Sequence, residues 1–162
     1  MSRLFLYFLP VVFLAACVNA PDFPAEPVLT YEGVNKAEIF QWTNGPLDSI
    51  TLQVSFTDGD GNLSNADSVD IFIEDSRFGV PSPRKIPMIP EEGTGNGISG
   101  DLFITIVNEP DGICCVRTPL FCVANPAFPV DTFSYSIQIR DRANNFSNVV
   151  RTEVIEIKCL GQ

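Results

Sequence analysis

Residues 50–65 read ITLQVSFTDGDGNLSN and carry the clearest structural signal in the chain. The first half of this stretch alternates apolar and polar side chains with a period of two, which is typical of a β-strand that buries one face. The alternation ends at Asp58, and the Gly, Asp and Asn residues that follow favour tight turns. The stretch therefore predicts a half-buried strand that runs directly into a turn.

The last twelve residues of this stretch, 54–65, have the same pattern as residues 137–148, which read IQIRDRANNFSN. Gly61 and Asn144 occupy the same position of the repeat, and both residue types tolerate a left-handed backbone. The repeat predicts two equivalent turns, with Asp58 at the start of one and Asp141 at the start of the other. It resembles the D-x-x-G-N-x-S turn of bacterial immunoglobulin-like, cadherin-like and PKD-like extracellular modules. This resemblance implies a fold class rather than an activity.

Most other apolar segments also have strand character, and helical periodicity is missing. Strands are expected within 28–42 and at 50–57, 69–74, 85–89, 102–107, 132–140 and 148–157. Seven or eight short strands separated by turn residues indicate an all-β fold, an immunoglobulin-like antiparallel β-sandwich, over residues 29–162. In that topology one repeated turn joins the strand at 50–57 to the strand at 69–74, and the other joins 132–140 to 148–157. These are the B–C and F–G loops of the immunoglobulin fold, which lie at the same pole.

The chain begins with the features of an export signal. A weakly basic start precedes an apolar run, residues 4–14, that is too short to span a membrane. The run ends in Leu-Ala-Ala-Cys17, which resembles the lipobox of bacterial lipoproteins. That resemblance implies a signal peptide over residues 1–16, acylation of Cys17, and a Pro-rich tether over residues 17–28. An ordinary signal peptide cut near Ala20 is the alternative.

The predicted location is therefore a bacterial cell envelope, with the protein held by the lipid on Cys17. Val18 stands where enteric bacteria carry the aspartate that retains lipoproteins in the inner membrane. The outer membrane is favoured for this reason, and both its periplasmic face and the cell surface are compatible with the sequence.

The composition argues against several classes of function. The 162-residue chain has 20 acidic and 10 basic residues, a formal net charge of −10, and such a surface repels nucleic acid. The absence of histidine from the sequence excludes Ser–His and Cys–His nucleophiles and His-ligated zinc. We therefore expect no enzymatic activity. An enzyme that uses only carboxylates, such as Asp58 with Asp141, remains a hypothesis and requires the two turns to meet.

Five residues of the two turns are candidate Ca²⁺ ligands: Asp58, Asp60, Asn62, Asp141 and Asn145. Their carboxylate and amide oxygens are hard ligands that suit Ca²⁺, the expected cofactor if the turns converge. An EF-hand is excluded, because Leu63 and Val69 stand where such a loop requires Gly and Glu. Ordinary Asx-type turns without metal are the alternative, since turn residues and calcium ligands are the same residue types.

Four cysteines remain beside Cys17: Cys114, Cys115, Cys122 and Cys159. An even number in an exported chain indicates disulfides, and a four-thiolate zinc site would lack the usual C-x2-C spacing. A bond between the adjacent Cys114 and Cys115 would be strained. Cys122 is therefore expected to bond to one of these two, and Cys159 to the other.

The connection between residues 108 and 130 carries three of these cysteines and is rich in apolar residues. Leu120, Phe121 and Phe128 are its candidate binding residues, because long stapled loops often bind ligands. The same residues are equally suited to cap the open end of the core.

Together these features predict a non-catalytic, envelope-anchored lipoprotein that acts as a binding or structural module, with Ca²⁺ as a candidate stabiliser. Such a module would be accessory to adhesion or to a surface or secretion assembly. The expected partners are the membrane, through the lipid on Cys17, and an envelope protein or glycan that the sequence does not identify. The alternative is a lipoprotein that captures a glycan or peptide beside an outer-membrane importer.

Overall fold

The computed structural model describes residues 22–42, 45–64, 69–89, 97–116, 122–123 and 125–160. Within these ranges the chain forms ten strands: β1 (Val28–Val34), β2 (Glu38–Trp42), β3 (Ser49–Asp58), β4 (Ile71–Asp75), β5 (Pro81–Arg84), β6 (Ile98–Val107), β7 (Val130–Phe133), β8 (Tyr135–Ile139), β9 (Val150–Arg151) and β10 (Ile155–Leu160). The described part of the chain contains no apolar helix of membrane-spanning length. The predicted signal peptide, Cys17, Leu120 and Phe121 lie outside the described residues.

The alternating stretch forms β3, the central strand of a first sheet with the order β1–β3–β6. Ile50, Leu52 and Val54 of this strand have no exposed surface, as a strand with one buried face requires. Both neighbouring strands pair with β3 in antiparallel register. The sequence pattern and the burial of β3 therefore agree residue by residue.

The opposite layer consists of two sets of hydrogen-bonded strands, β2–β10–β7 and β5–β4–β8–β9. The two sets are continuous. Ser134 alone separates β7 from β8, and the N–H of Thr152, between β9 and β10, donates to the carbonyl of Tyr135 at 3.0 Å. β2 runs parallel to β10, whereas the other pairs of this layer are antiparallel. The apolar residues of both layers meet in one core.

The predicted all-β sandwich is confirmed. The described residues form ten strands rather than the expected seven or eight, because the segments predicted as single strands at 132–140 and 148–157 are each divided in two. The pairing is also not purely antiparallel, since β2 is parallel to β10. The prediction of a strand at 85–89 is wrong. The strand in this part of the chain is β5, Pro81–Arg84. Proline is tolerated in β5 because an edge strand does not need every N–H for its ladder.

Candidate metal centre

The register of two strands places two aspartates inside one pole of the sandwich. Asp58 is the last residue of β3 and continues the buried series that begins at Ile50, so it has no exposed surface. In the same way, Asp141 follows the buried Ile137 and Ile139 and is 3% exposed. Side chains two residues apart share one face of a strand. Each aspartate therefore lies where an apolar core residue would otherwise be.

The two repeated turns have the same backbone geometry at their central position. Gly61 has a φ of 68° and Asn144 a φ of 69°, so both carry the left-handed backbone expected there. In the second turn, the N–H of Asn145 donates to Oδ1 of Asp141 at 2.7 Å, and Nδ2 of Asn145 donates to Oδ2 at 2.8 Å. Asn145 thereby fixes the orientation of the Asp141 carboxylate.

Direct hydrogen bonds join the two turns. The N–H of Arg142, in the second turn, donates to the carbonyl of Asn62, in the first, at 3.1 Å. The guanidinium of Arg142 donates to the carbonyl oxygens of Ser64 and, at 3.2 Å, of Ile89. The two turns are therefore neighbours at one pole.

The carboxylates of Asp58, Asp60 and Asp141 form an acidic cluster together with the side chain of Asn62. One oxygen from each carboxylate lies within 4.8 Å of the others, and Nδ2 of Asn62 donates to Oδ2 of Asp60 at 2.7 Å. Four buried oxygens of this cluster have no hydrogen-bond donor among the described residues: Oδ1 and Oδ2 of Asp58, Oδ1 of Asp60 and Oδ1 of Asn62. Such oxygens are rare inside proteins, and their convergence is typical of a cation site.

The surroundings of Asp58 oppose its ionisation. Burial, and then the negative charge of Asp60 with a smaller effect of Asp141, raises the pKa of Asp58 from 3.8 to about 7. The backbone N–H of Asn62 offsets this rise of the pKa only in part, and it does not reach hydrogen-bond geometry with the Asp58 oxygens. A cation among these oxygens would favour the ionised carboxylate and reverse the shift.

The structure brings together all five residues that the sequence singled out in the turns. Asp58, Asp60 and Asp141 contribute carboxylate oxygens that face one another, whereas Asn62 and Asn145 are linked to the cluster by hydrogen bonds to Asp60 and Asp141. The resulting set of carboxylate and amide oxygens suits a hard divalent cation.

Sequence reasoning missed two further residues of this pole, Asn148 and Gly59. The side-chain amide of Asn148 accepts a hydrogen bond from the N–H of Leu29 at 2.8 Å and donates one to its carbonyl at 3.0 Å. The N–H of Gly59 donates to the carbonyl of Pro24 at 2.7 Å. A signal for Asn148 was available, because it is the last residue of the repeated pattern.

At the opposite pole, disulfides join Cys114 to Cys122 and Cys115 to Cys159. Both bonds agree with the predicted scheme, in which Cys122 and Cys159 each take one of the adjacent cysteines. Gln41 of β2 bridges the two bonds, since its Nε2 donates to the carbonyl of Cys122 at 2.8 Å and its Oε1 accepts from the N–H of Cys115 at 2.7 Å.

The first part of the loop between residues 108 and 130 packs into the core. Ile113 is fully buried and Cys115 is 1% exposed, so the described start of the loop caps the end of the sandwich. Phe128 is instead 45% exposed. The other two candidate binding residues of the loop, Leu120 and Phe121, lie outside the described residues.

A buried arginine in the turn after β4 supports this loop. Arg77 forms ion pairs with Asp75 at 2.6 Å and with Asp131 at 2.9 Å, and it donates to the carbonyl of Cys114 at 2.8 Å. Burial alone would raise the pKa of Asp131, but Arg77 and backbone N–H donors hold it below its usual value. The pole of the disulfides is therefore fixed by charge as well as by covalent bonds.

An apolar cleft of about 530 Å³ lies between the start of β6 and residues 86–89. Its lining includes Phe56, Ile98 and Leu102. This volume falls within the range of small-molecule sites.

Comparison with known proteins gives little further information. No protein-family model matches the sequence, and no curated protein is similar to it. Among solved structures, the chain is similar to the crystal structure of a Niemann-Pick type C2 protein from Japanese carpenter ant, with 13% sequence identity and a TM-score of 0.39. The similarity covers 89% of this chain and 99% of that chain. A similarity of this size supports no conclusion about a ligand.

Proposed function

We propose that this protein is a non-catalytic module of a bacterial cell envelope, anchored by a lipid on Cys17, whose β-sandwich binds Ca²⁺ between its two repeated turns. The module would act as a binding or structural unit for an envelope protein or glycan. The four buried oxygens without donors in the acidic cluster carry this proposal. An unsatisfied buried polar group costs about 1–3 kcal/mol, and a bound Ca²⁺ would remove that cost.

The chemistry of the cluster favours Ca²⁺ over other metals. Its donors are oxygens, and the four cysteines of the domain are bound in disulfides, whereas structural zinc sites use thiolate or imidazole. Mg²⁺ demands near-ideal octahedral geometry, while Ca²⁺ accepts six to eight oxygens in flexible arrangements. A site assembled from two separate turns suits Ca²⁺, which tolerates irregular coordination geometry better than Mg²⁺ does.

The burial of the same carboxylates supports a non-catalytic role. Asp58 has no exposed surface and Asp141 is 3% exposed, so a substrate would not reach the pair that carboxylate-only catalysis needs. The absence of histidine removes the common proton shuttle. The cluster is better suited to hold an ion than to transform a ligand.

A thermal melt of the mature chain tests this function. The chain from residue 17, with Cys17→Ser to prevent acylation, is unfolded in EDTA and in 2 mM Ca²⁺. A ligand at about 100 times its Kd stabilises a protein by about 2.7 kcal/mol, and the midpoint should rise by several degrees. Asp58→Asn should abolish the rise.

Asp111→Asn is the matched control, since Asp111 is exposed in the connection at the opposite pole. This variant should keep the full Ca²⁺ shift. An equal midpoint in EDTA and Ca²⁺ for the unaltered chain would overturn the proposal and leave the two turns as ordinary Asx-type turns.

The cleft favours a second candidate function, the capture of a small apolar ligand. Ile98 lines the cleft and is only partly buried, so Ile98→Gln should weaken binding of an apolar fluorescent probe. Phe103→Gln, on the outer face of the same strand and 66% exposed, is the control. Equal probe binding by both variants would exclude the cleft. For a glycan or peptide, the residue to replace is the exposed Phe128.

A further inference from the structure

The segment that leads into β1 is seated on the first repeated turn. We call residues 22–29 the strap. Gly59 donates its N–H to the carbonyl of Pro24 at 2.7 Å, and a Cβ at Gly59 would overlap the carbonyl oxygens of Phe23 and Pro24. The ring of Phe23 lies against Gly97, where a Cβ would come within 2.7 Å of it. The close approach of the strap backbone therefore requires glycine at position 59, whereas a side chain at position 97 would displace the ring of Phe23.

The second repeated turn holds the other end of the strap. The side-chain amide of Asn148 bonds to both the N–H and the carbonyl of Leu29, in the way that a neighbouring strand would. Ser147 fixes the backbone of Asn148. Its Oγ accepts a hydrogen bond from the N–H of Ile139 at 3.0 Å and donates one to the carbonyl of Asn148 at 2.7 Å. Leu29 itself is 3% exposed.

Both contacts of the strap belong to the turns that carry the acidic cluster. Gly59 lies directly between Asp58 and Asp60 in the chain, and Asn148 is the last residue of the repeat that contains Asp141. The relative position of the two turns therefore sets both the distances within the cluster and the positions of the two strap contacts.

We propose that binding of Ca²⁺ by the acidic cluster is coupled to docking of the strap, so that the metal fixes the sandwich relative to the chain that leads towards Cys17. This inference rests on the proposed function of the same site. A cation that bridges the turns stabilises the arrangement in which Gly59 and Asn148 both reach the strap. Since coupling between two binding events is reciprocal, strap contacts must in turn strengthen Ca²⁺ binding.

Calorimetric Ca²⁺ titration of the mature chain with Cys17→Ser tests the coupling. Phe23→Ala and Asn148→Ala each remove a strap contact and leave the carboxylates of the cluster in place. We expect each to weaken the Ca²⁺ affinity about five-fold or more, the lower end of typical coupling between sites. Phe103→Ala removes a phenyl group from an exposed position and should leave the affinity unchanged.

Amide hydrogen exchange tests the same coupling without a strap variant, in the mature chain whose single substitution is Cys17→Ser. The amides of Gly59 and Leu29 should exchange faster in EDTA than in Ca²⁺, whereas that of Leu52 in β3 should change less. Unchanged affinity in both strap variants, or equal protection of Gly59 and Leu29 in EDTA and Ca²⁺, would overturn the coupling while the Ca²⁺ site stands. Failure of this parent chain to bind Ca²⁺ would overturn the proposed function, and the coupling with it.

Discussion

Asp58 and Asp141 come from different turns, yet a carboxylate oxygen of one lies within 4.8 Å of a carboxylate oxygen of the other inside the same pole of the sandwich. Both side chains are buried, and Asp60 adds a third carboxylate to the group. Without a cation, this arrangement places like charges in a region of low dielectric, which is unfavourable. The metal-free protein should therefore be destabilised by its own binding site.

The first prediction concerns the pH dependence of the metal-free protein. The pKa of Asp58 is raised from 3.8 to about 7 in the folded state, so the folded protein binds more protons than the unfolded chain between these values. The stability that protonated Asp58 contributes is fully present below about pH 4 and is lost as the pH rises through about 7. In EDTA, urea unfolding should show a fall on the order of 2 kcal/mol from pH 5 to pH 8.

The variant Asp58→Asn separates this effect from other titrations. It removes the ionisable group, so its stability in EDTA should vary little from pH 5 to pH 8 and should exceed that of the parent protein at pH 8. The range from pH 5 to pH 8 suits this measurement, because the chain has no histidine that would titrate within it. A parent protein whose stability in EDTA stays constant or rises over this range would contradict the raised pKa of Asp58.

A second prediction compares the two residues with left-handed backbone. Gly61→Ala should cost about 1 kcal/mol, because a Cβ is disfavoured at a φ of 68°. Asn144→Gly should be close to neutral, since glycine adopts the φ of 69° without strain. Urea unfolding of both variants in Ca²⁺ measures the difference. Equal effects of the two substitutions would show that the turns do not require this conformation.

The sequence predicts the parts of this fold that depend on local pattern. The period of two in β3 identifies its buried face, and the shared position of Gly61 and Asn144 identifies the two turns. The alternation in the two strands also predicts where their last side chains point. Asp58 and Asp141 continue the inward register of their strands, and this alone indicates that both carboxylates are buried.

The remaining features depend on contacts between distant segments, which local pattern does not encode. The strap docks where Gly59 and Gly97 lack side chains that would overlap Phe23. No sequence motif near Phe23 predicts this contact. The strand at Pro81–Arg84 was missed because proline opposes strand formation in general, whereas its cost vanishes at a sheet edge. The ion pair of Arg77 with Asp131 likewise joins residues 54 positions apart in the sequence.

A third prediction tests the proposed anchor. When the full chain is produced in a bacterial host with labelled palmitate, the protein should carry the label, and Cys17→Ala should abolish it. The thiol of Cys17 is the acceptor that the lipobox resemblance implies. Mass spectrometry of the mature N-terminus provides the control measurement, because an ordinary signal peptide would leave an unlabelled chain that begins near Ala20. That result would exclude the anchor without affecting the Ca²⁺ site.

The last prediction ranks the two disulfides at the pole opposite the acidic cluster. The Cys115–Cys159 bond closes a sequence separation of 44 residues and the Cys114–Cys122 bond one of 8. The entropy of the unfolded chain then implies stabilisation of about 4 and about 2.5 kcal/mol. Replacing both cysteines of the longer bridge by alanine should therefore lower the urea midpoint more than the same change in the shorter bridge. The opposite ranking would show that the entropy of loop closure does not determine how much each bridge stabilises this pole.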